Sequence, residues 1–139
     1  MMINFVSMDH LVMTVSDMDV ARHFYHDILG MPLIDSQTDD EITTLQCGQQ
    51  LLRLQTKDRP LDELQANCPT PGAIDLCITS RDEPQQVMKI LKDHHVKTVL
   101  EGINVDSQSG LDIETGAKGK MQSIYLRDPD QNLIEISFY

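Results

Sequence analysis

Basic residues are scarce in this chain. Eleven Lys and Arg stand against 22 Asp and Glu, for a formal net charge of −11. A nucleic-acid binder needs a basic footprint to displace counterions, and none is visible, so no nucleic-acid partner is expected. The same deficit disfavours an anionic membrane surface. No run of about 18 apolar residues occurs, so no membrane-spanning helix is expected. Met1 to His10 lacks a basic stretch followed by an apolar one, so no secretory signal is expected. Cysteine is sparse too. Cys47, Cys68 and Cys77 are odd in number and far apart, with no C-x-x-C pair. A reduced, cytoplasmic protein is the expectation. What remains is ordinary for one soluble domain: 139 residues, 40% hydrophobic and 24% charged.

Four segments share one pattern: Asp9–Val15, Leu51–Gln55, Ile74–Thr79 and Leu133–Phe138. Side chains alternate across a strand, so each segment would present two faces. One face is apolar: Leu11, Met13 and Val15; Leu52 and Leu54; Ile74, Leu76 and Ile78; Ile134, Ile136 and Phe138. The opposite face is mixed and carries one ionisable residue in each case: His10, Arg53, Asp75 and Glu135. The mixed faces line either a solvated sheet surface or a half-buried cleft. Val12, Leu51, Cys77 and Leu133 on those faces favour the cleft.

The order of elements repeats. After the first strand, Ser16 reads as a helix cap. Val20, Phe24 and Ile28 then recur every four residues, with Ala21, Tyr25 and Leu29 beside them, as the apolar face of a helix ending at Gly30. Strands are expected at Leu33–Ser36, Ile42–Gln46 and Leu51–Gln55. Thr56–Gly72 reads as a connecting segment with one helical turn near Leu61–Ala66. The order then restarts with Ile74–Thr79. A helix follows, begun near Ser80, Asp82 and Pro84 and packed through Val87, Ile90 and Leu91. Val96–Glu101 is an expected strand and Gly102–Lys120 a loop. Met121–Leu126 and Leu133–Phe138 close the chain as strands joined by the Asp128-Pro129-Asp130 turn. Two halves of one order imply an internal duplication. His10 and Asp75 fall at equivalent places in it, as do Arg53 and Glu135.

Longer phrases carry a resemblance. They are Met8-Asp-His-Leu-Val-Met-Thr-Val-Ser-Asp17, Ile28-Leu-Gly-Met31 and Pro71-Gly-Ala-Ile-Asp-Leu-Cys-Ile-Thr79, then Thr115-Gly-Ala-Lys-Gly119 and Ser123-Ile-Tyr-Leu-Arg-Asp-Pro-Asp-Gln-Asn-Leu-Ile-Glu-Ile-Ser137. The chain resembles the vicinal oxygen chelate superfamily, which includes glyoxalase I, fosfomycin-resistance proteins, extradiol dioxygenases and bleomycin-binding proteins. It lies nearest the branch of virulence-protein-like glyoxalase domains. The resemblance implies an α+β fold of two βαβββ modules, about residues 6–56 and 73–139, forming a single domain with a curved, cup-shaped mixed sheet. It implies a homodimer and a small-molecule ligand. In the metalloenzymes of the family, one residue from each of four equivalent strands binds a divalent metal, such as Zn, Ni, Mn or Fe. By position these are His10, Arg53, Asp75 and Glu135.

His10 and Glu135 suit such an ion, and Asp75 would be a third ligand of shorter reach. Glu135 is the candidate proton carrier. Arg53 opposes the metal, because a guanidinium stays protonated and repels a cation. Two unit charges about 4 Å apart at an effective dielectric of about 20 interact by roughly 4 kcal/mol, about three decades in affinity. Arg53 is therefore expected either to turn outward or to stand in for the ion. Arg53, Gln55, Tyr125 and Arg127 are the candidate substrate-binding residues. Thr115–Gly119 is a candidate flap, since Gly-rich loops often gate sites. His23, His26, His94 and His95 read as surface residues, and Cys77 as a buried structural thiol. Two functions stay open. One is a metal-dependent lyase or isomerase acting on vicinal oxygens. The other is a metal-free protein of the bleomycin-resistance type that binds or sequesters a small molecule.

Overall fold

The computed structural model describes residues 1–99 and 112–139. The chain forms two compact units, Met1–Pro71 and Gly72–Tyr139. Each combines a small sheet with a helix, so the class is α+β as expected.

In the first unit, strands β1 (His10–Val15), β2 (Ile42–Cys47) and β3 (Gln50–Thr56) form a sheet in the order β1-β3-β2. β1 runs parallel to β3, with Val12 opposite Arg53, and β2 is antiparallel to β3. The tight β2–β3 connection is possible because Gly48 adopts φ +58°, which costs glycine little. The apolar faces are buried as the alternation requires. Met13, Val15, Leu45, Leu52 and Leu54 are at most 2% exposed, and they share the core with Ala21, Phe24 and Tyr25. Fully burying each large side chain contributes about 1.5–3 kcal/mol.

The helix is two segments. Helix α1 covers Met18–Arg22 and passes into a π-helical stretch, His23–Ile28. The Leu29 amide donates to the Phe24 carbonyl five residues back, at 3.0 Å. The cap is Asp17 rather than Ser16: its carboxylate accepts the Val20 amide at 3.0 Å. Val20 is 48% exposed, so the buried stripe is Ala21, Phe24 and Tyr25. The expected strand Leu33–Ser36 is reduced to a single bridge, Leu33 to Leu45, followed by a 3₁₀ turn at Asp35–Gln37. Across Leu61–Ala66 the chain forms a turn at Glu63 and Leu64 and no helix.

In the second unit, β4 (Asp75–Thr79), β5 (Asp112–Gly116), β6 (Gly119–Arg127) and β7 (Leu133–Phe138) are ordered β4-β7-β6-β5. Again the first strand lies parallel to the last, here β4 to β7. Helix α2 spans Pro84–Asp93 with Pro84 in its first turn. Leu91 is buried, whereas Ile90 is 47% exposed and does not join the packed face. Ser80 and Asp82 bond each other, and neither caps the helix. Of the expected strand Val96–Glu101, the described part makes one bridge, Thr98 to Leu126. Leu100 and Glu101 lie outside the described residues, as does the part of the expected loop from Gly102 to Leu111. The rest of that loop is a strand pair: β5 and β6 form an antiparallel ladder ending at Gly116 and Gly119. So the candidate flap Thr115–Gly119 is the tip of a hairpin.

The Asp128–Asn132 turn is tied down by buried groups. Asn132 Oδ1 accepts the Ile74 amide at 2.8 Å, and Asn132 Nδ2 donates to Asp128 Oδ2 at 2.8 Å. Gln131 takes the left-handed conformation, φ +69°, that the turn requires.

Candidate functional site

Along the mixed faces of β1, β3 and β7, exposure falls from one end of the strand to the other, whereas on β4 Asp75, Cys77 and Thr79 are all exposed. In the first module His10 and Val12 are exposed, Arg53 is half-buried, and Thr14 and Gln55 are buried. Arg53 and His10 point to the same side of the sheet, two residue pairs apart along the β1–β3 ladder. Arg53 Nη1 stands 3.1 Å from His10 Nε2, and its Nη2 donates to Gln37 Oε1 at 2.9 Å. His10 Nδ1 lies 2.7 Å from Asp9 Oδ1.

These contacts define the imidazole. A guanidinium only donates, so Nε2 must accept; an ionised carboxylate only accepts, so Nδ1 carries the hydrogen. In this arrangement the Nε2 lone pair of His10 is directed at Arg53. A metal bound to Nε2 would sit about 2.0–2.1 Å along that lone pair, only about 1 Å from Nη1. Arg53 as placed and a metal on His10 Nε2 exclude each other. The residues of this module do not fit a metal ion.

Gln37 was not singled out from sequence. The 3₁₀ turn delivers it, and the turn is fastened where Thr44 Oγ1 donates to the Gln37 carbonyl at 2.7 Å. Its only sequence signal is a polar side chain just after the stretch Leu33–Ser36 patterned as a strand. Gln55, a candidate ligand contact, is 4% exposed. Its amide nitrogen donates to Thr14 Oγ1 at 3.0 Å, and its oxygen accepts from Arg59 Nη1 at 3.2 Å.

In the second module, Asp75 and Glu135 lie on neighbouring strands and on one face. Cys77 is paired with Glu135, and Asp75 with Leu133. Asp75 is exposed and Glu135 half-buried, accepting from Ser123 Oγ at 2.7 Å. That bond leaves the carboxylate oriented on the sheet. Tyr125 stands opposite Glu135 across the β6–β7 ladder. Arg127 is exposed and donates to the Gln131 carbonyl at 3.3 Å. Cys77 is exposed, contrary to the expectation of a buried thiol, and donates to Ser137 Oγ at 3.4 Å. It is Cys47 whose thiol pKa burial pushes up. His23, His26, His94 and His95 are all exposed. Within each module, among the described residues, no three His, Cys, Asp or Glu side chains stand grouped as metal ligands. A groove of about 800 Å³ beside α2, lined by Met88, Leu91, Lys92, His95 and Lys97, contains none of the candidate metal-binding or substrate-binding residues.

Known proteins are similar to this chain in sequence and fold. The chain is 39% identical over 132 residues to virulence protein STM3117 of Salmonella typhimurium, covering 94% of this chain and 83% of that protein. It is 38% identical over 133 residues to the glyoxalase domain-containing protein RDO1 of Mycosarcoma maydis, covering 96% of this chain and 68% of the other. An integron cassette protein from the mobile metagenome of Vibrio cholerae, VCH_CASS1, superposes with a TM-score of 0.84 at 31% identity, over 100% of this chain and 99% of that one. A family pattern matches residues 7–136, and the chain therefore belongs to the Glyoxalase/Bleomycin resistance protein/Dioxygenase superfamily.

Proposed function

We propose that this protein is a metal-independent member of its superfamily that binds a small molecule, as a binding or sequestering protein of the bleomycin-resistance type. One observation carries the reading: Arg53 Nη1 occupies the lone-pair direction of His10 Nε2 at 3.1 Å. The imidazole that would begin a metal site is engaged by a permanent cation. A homodimer belongs to the same reading by kinship with the family.

Metal analysis tests it. Protein purified without chelator is expected to carry far less than stoichiometric Zn, Ni, Mn or Fe. A full equivalent of any of these would sink the proposal. Arg53→Glu is the comparison. It removes a repulsion of about 4 kcal/mol, so metal affinity is expected to rise by about three decades.

A second reading keeps lyase or isomerase chemistry with Glu135 as proton carrier. It draws on the oriented, half-buried carboxylate at Ser123. It requires Arg53 to leave His10, and turnover of a hemithioacetal by the wild-type protein would favour it.

A further inference from the structure

We infer that the mixed face of the first module is a receptor for a small molecule carrying an oxyanion, a carboxylate or phosphate-type group, anchored by Arg53. The inference rests on the metal-independent reading and adds the chemical class of the ligand.

The charge of Arg53 is not balanced by its neighbours. Arg53 is half-buried as a residue, and its guanidinium touches two acceptors that carry no negative charge, His10 Nε2 and Gln37 Oε1. Among the described residues it forms no ion pair, although the chain has 22 carboxylates. Arg59 in the same module shows the ordinary arrangement, with Glu41 at 3.8 Å and Asp62 at 3.7 Å. A cation removed in part from water without a counter-charge is costly unless something else supplies one.

The guanidinium is also pre-oriented. His10 is braced by Asp9 on its far nitrogen, and Gln37 is braced through its carbonyl by Thr44. Of the five N–H donors of an arginine, two are engaged, and three remain for a ligand. A planar fork held in this way suits the two oxygens of a carboxylate or phosphate, and little side-chain entropy is left to lose on binding. Val12, 43% exposed, sits directly opposite Arg53, and Leu51 is half-buried on the same face. They offer apolar contact to the body of a ligand whose head is anionic. The overall charge of −11 opposes anions at long range. Selection must therefore arise at short range, from paired hydrogen bonds.

The test uses the full chain, isotope-labelled, titrated with benzoate and with phenylphosphate while the His10, Gln37 and Arg53 resonances are followed. Benzamide serves as the neutral analogue, and metal content is measured on the same samples. Saturable shifts at these residues with either anion, and none with benzamide, are expected. Arg53→Gln is expected to weaken binding at least about tenfold. Arg53→Lys, which keeps the charge and loses the fork, should fall between the two and serves if the Gln variant does not fold. Lys57→Gln, an exposed charge control, should match wild type. Equal response to benzamide, an unaffected Arg53 variant, or no saturable shift overturns the inference. Metal-free protein blind to both anions removes this inference and leaves the metal-independent reading standing. Stoichiometric metal removes both.

Discussion

Thr43 is fully buried opposite Leu54, and among the described residues its hydroxyl has no hydrogen-bond partner. Leaving such a group unsatisfied costs about 1–3 kcal/mol, and valine has nearly the same shape without the hydroxyl. Thr43→Val is therefore expected to stabilise the protein by about 1 kcal/mol or more, read as a higher urea midpoint at unchanged slope. A lower midpoint would mean that the hydroxyl finds a partner in solution. Buried Asn132 and Gln55 are the contrasting cases, since their amides are engaged at both ends. Legibility divides at the same scale. His10 and Arg53 stood out as ionisable residues on otherwise apolar strands, but the bond between them did not. The position of a residue on a strand follows from alternation, whereas the direction of a long arginine depends on partners brought from elsewhere in the chain. Gln37 is such a partner, 16 residues away in sequence.

Among the elements, strands with strict alternation were the most readable, and β2 and β6 were also expected at Ile42–Gln46 and Met121–Leu126. β1, β3, β4 and β7 follow their apolar faces to within one residue of the expected bounds. β5 was hidden because Asp112–Gly116 offers one large apolar residue and ends in glycine. The π-helical stretch was hidden because apolar spacing of four fits an α-helix nearly as well, and the widened turn shows only in the hydrogen bonds. The β5–β6 hairpin has its own check. A Cβ on Gly116 would collide with the Tyr139 hydroxyl and meet the Met121 sulfur, and that hydroxyl also accepts the Lys118 amide at 3.3 Å. Gly116→Ala is expected to cost about 1–2 kcal/mol, and clearly less when Tyr139 is already alanine. A double-mutant cycle of thermal or urea unfolding measures the difference, and strictly additive costs would mean that Tyr139 does not pack there.

For the molecule as a whole, charge is the most conspicuous property. The described ion pairs are few, three of the six involve histidine, and the Lys89–Asp93 pair is fully exposed. Pairs of that kind contribute little, so self-repulsion at −11 should outweigh them. Added NaCl is then expected to raise the unfolding temperature by a few degrees between about 0.01 and 0.15 M, as the screening length shortens from about 30 to 8 Å. A fall would show that attractive pairs dominate. No helix among the described residues is long and apolar enough to cross a membrane.

The parallel pairing of first and last strands also sets a timetable. His10 and Arg53 are 43 residues apart in the chain yet adjacent in the sheet. Closing so long a loop costs entropy before any contact rewards it, and such topologies fold slowly. During synthesis β1 emerges well before β3 and waits without the strand it pairs with. The receptor at Arg53 thus comes into being only when its module closes, and a chain that stalls earlier has the histidine and its aspartate but not the arginine beside them.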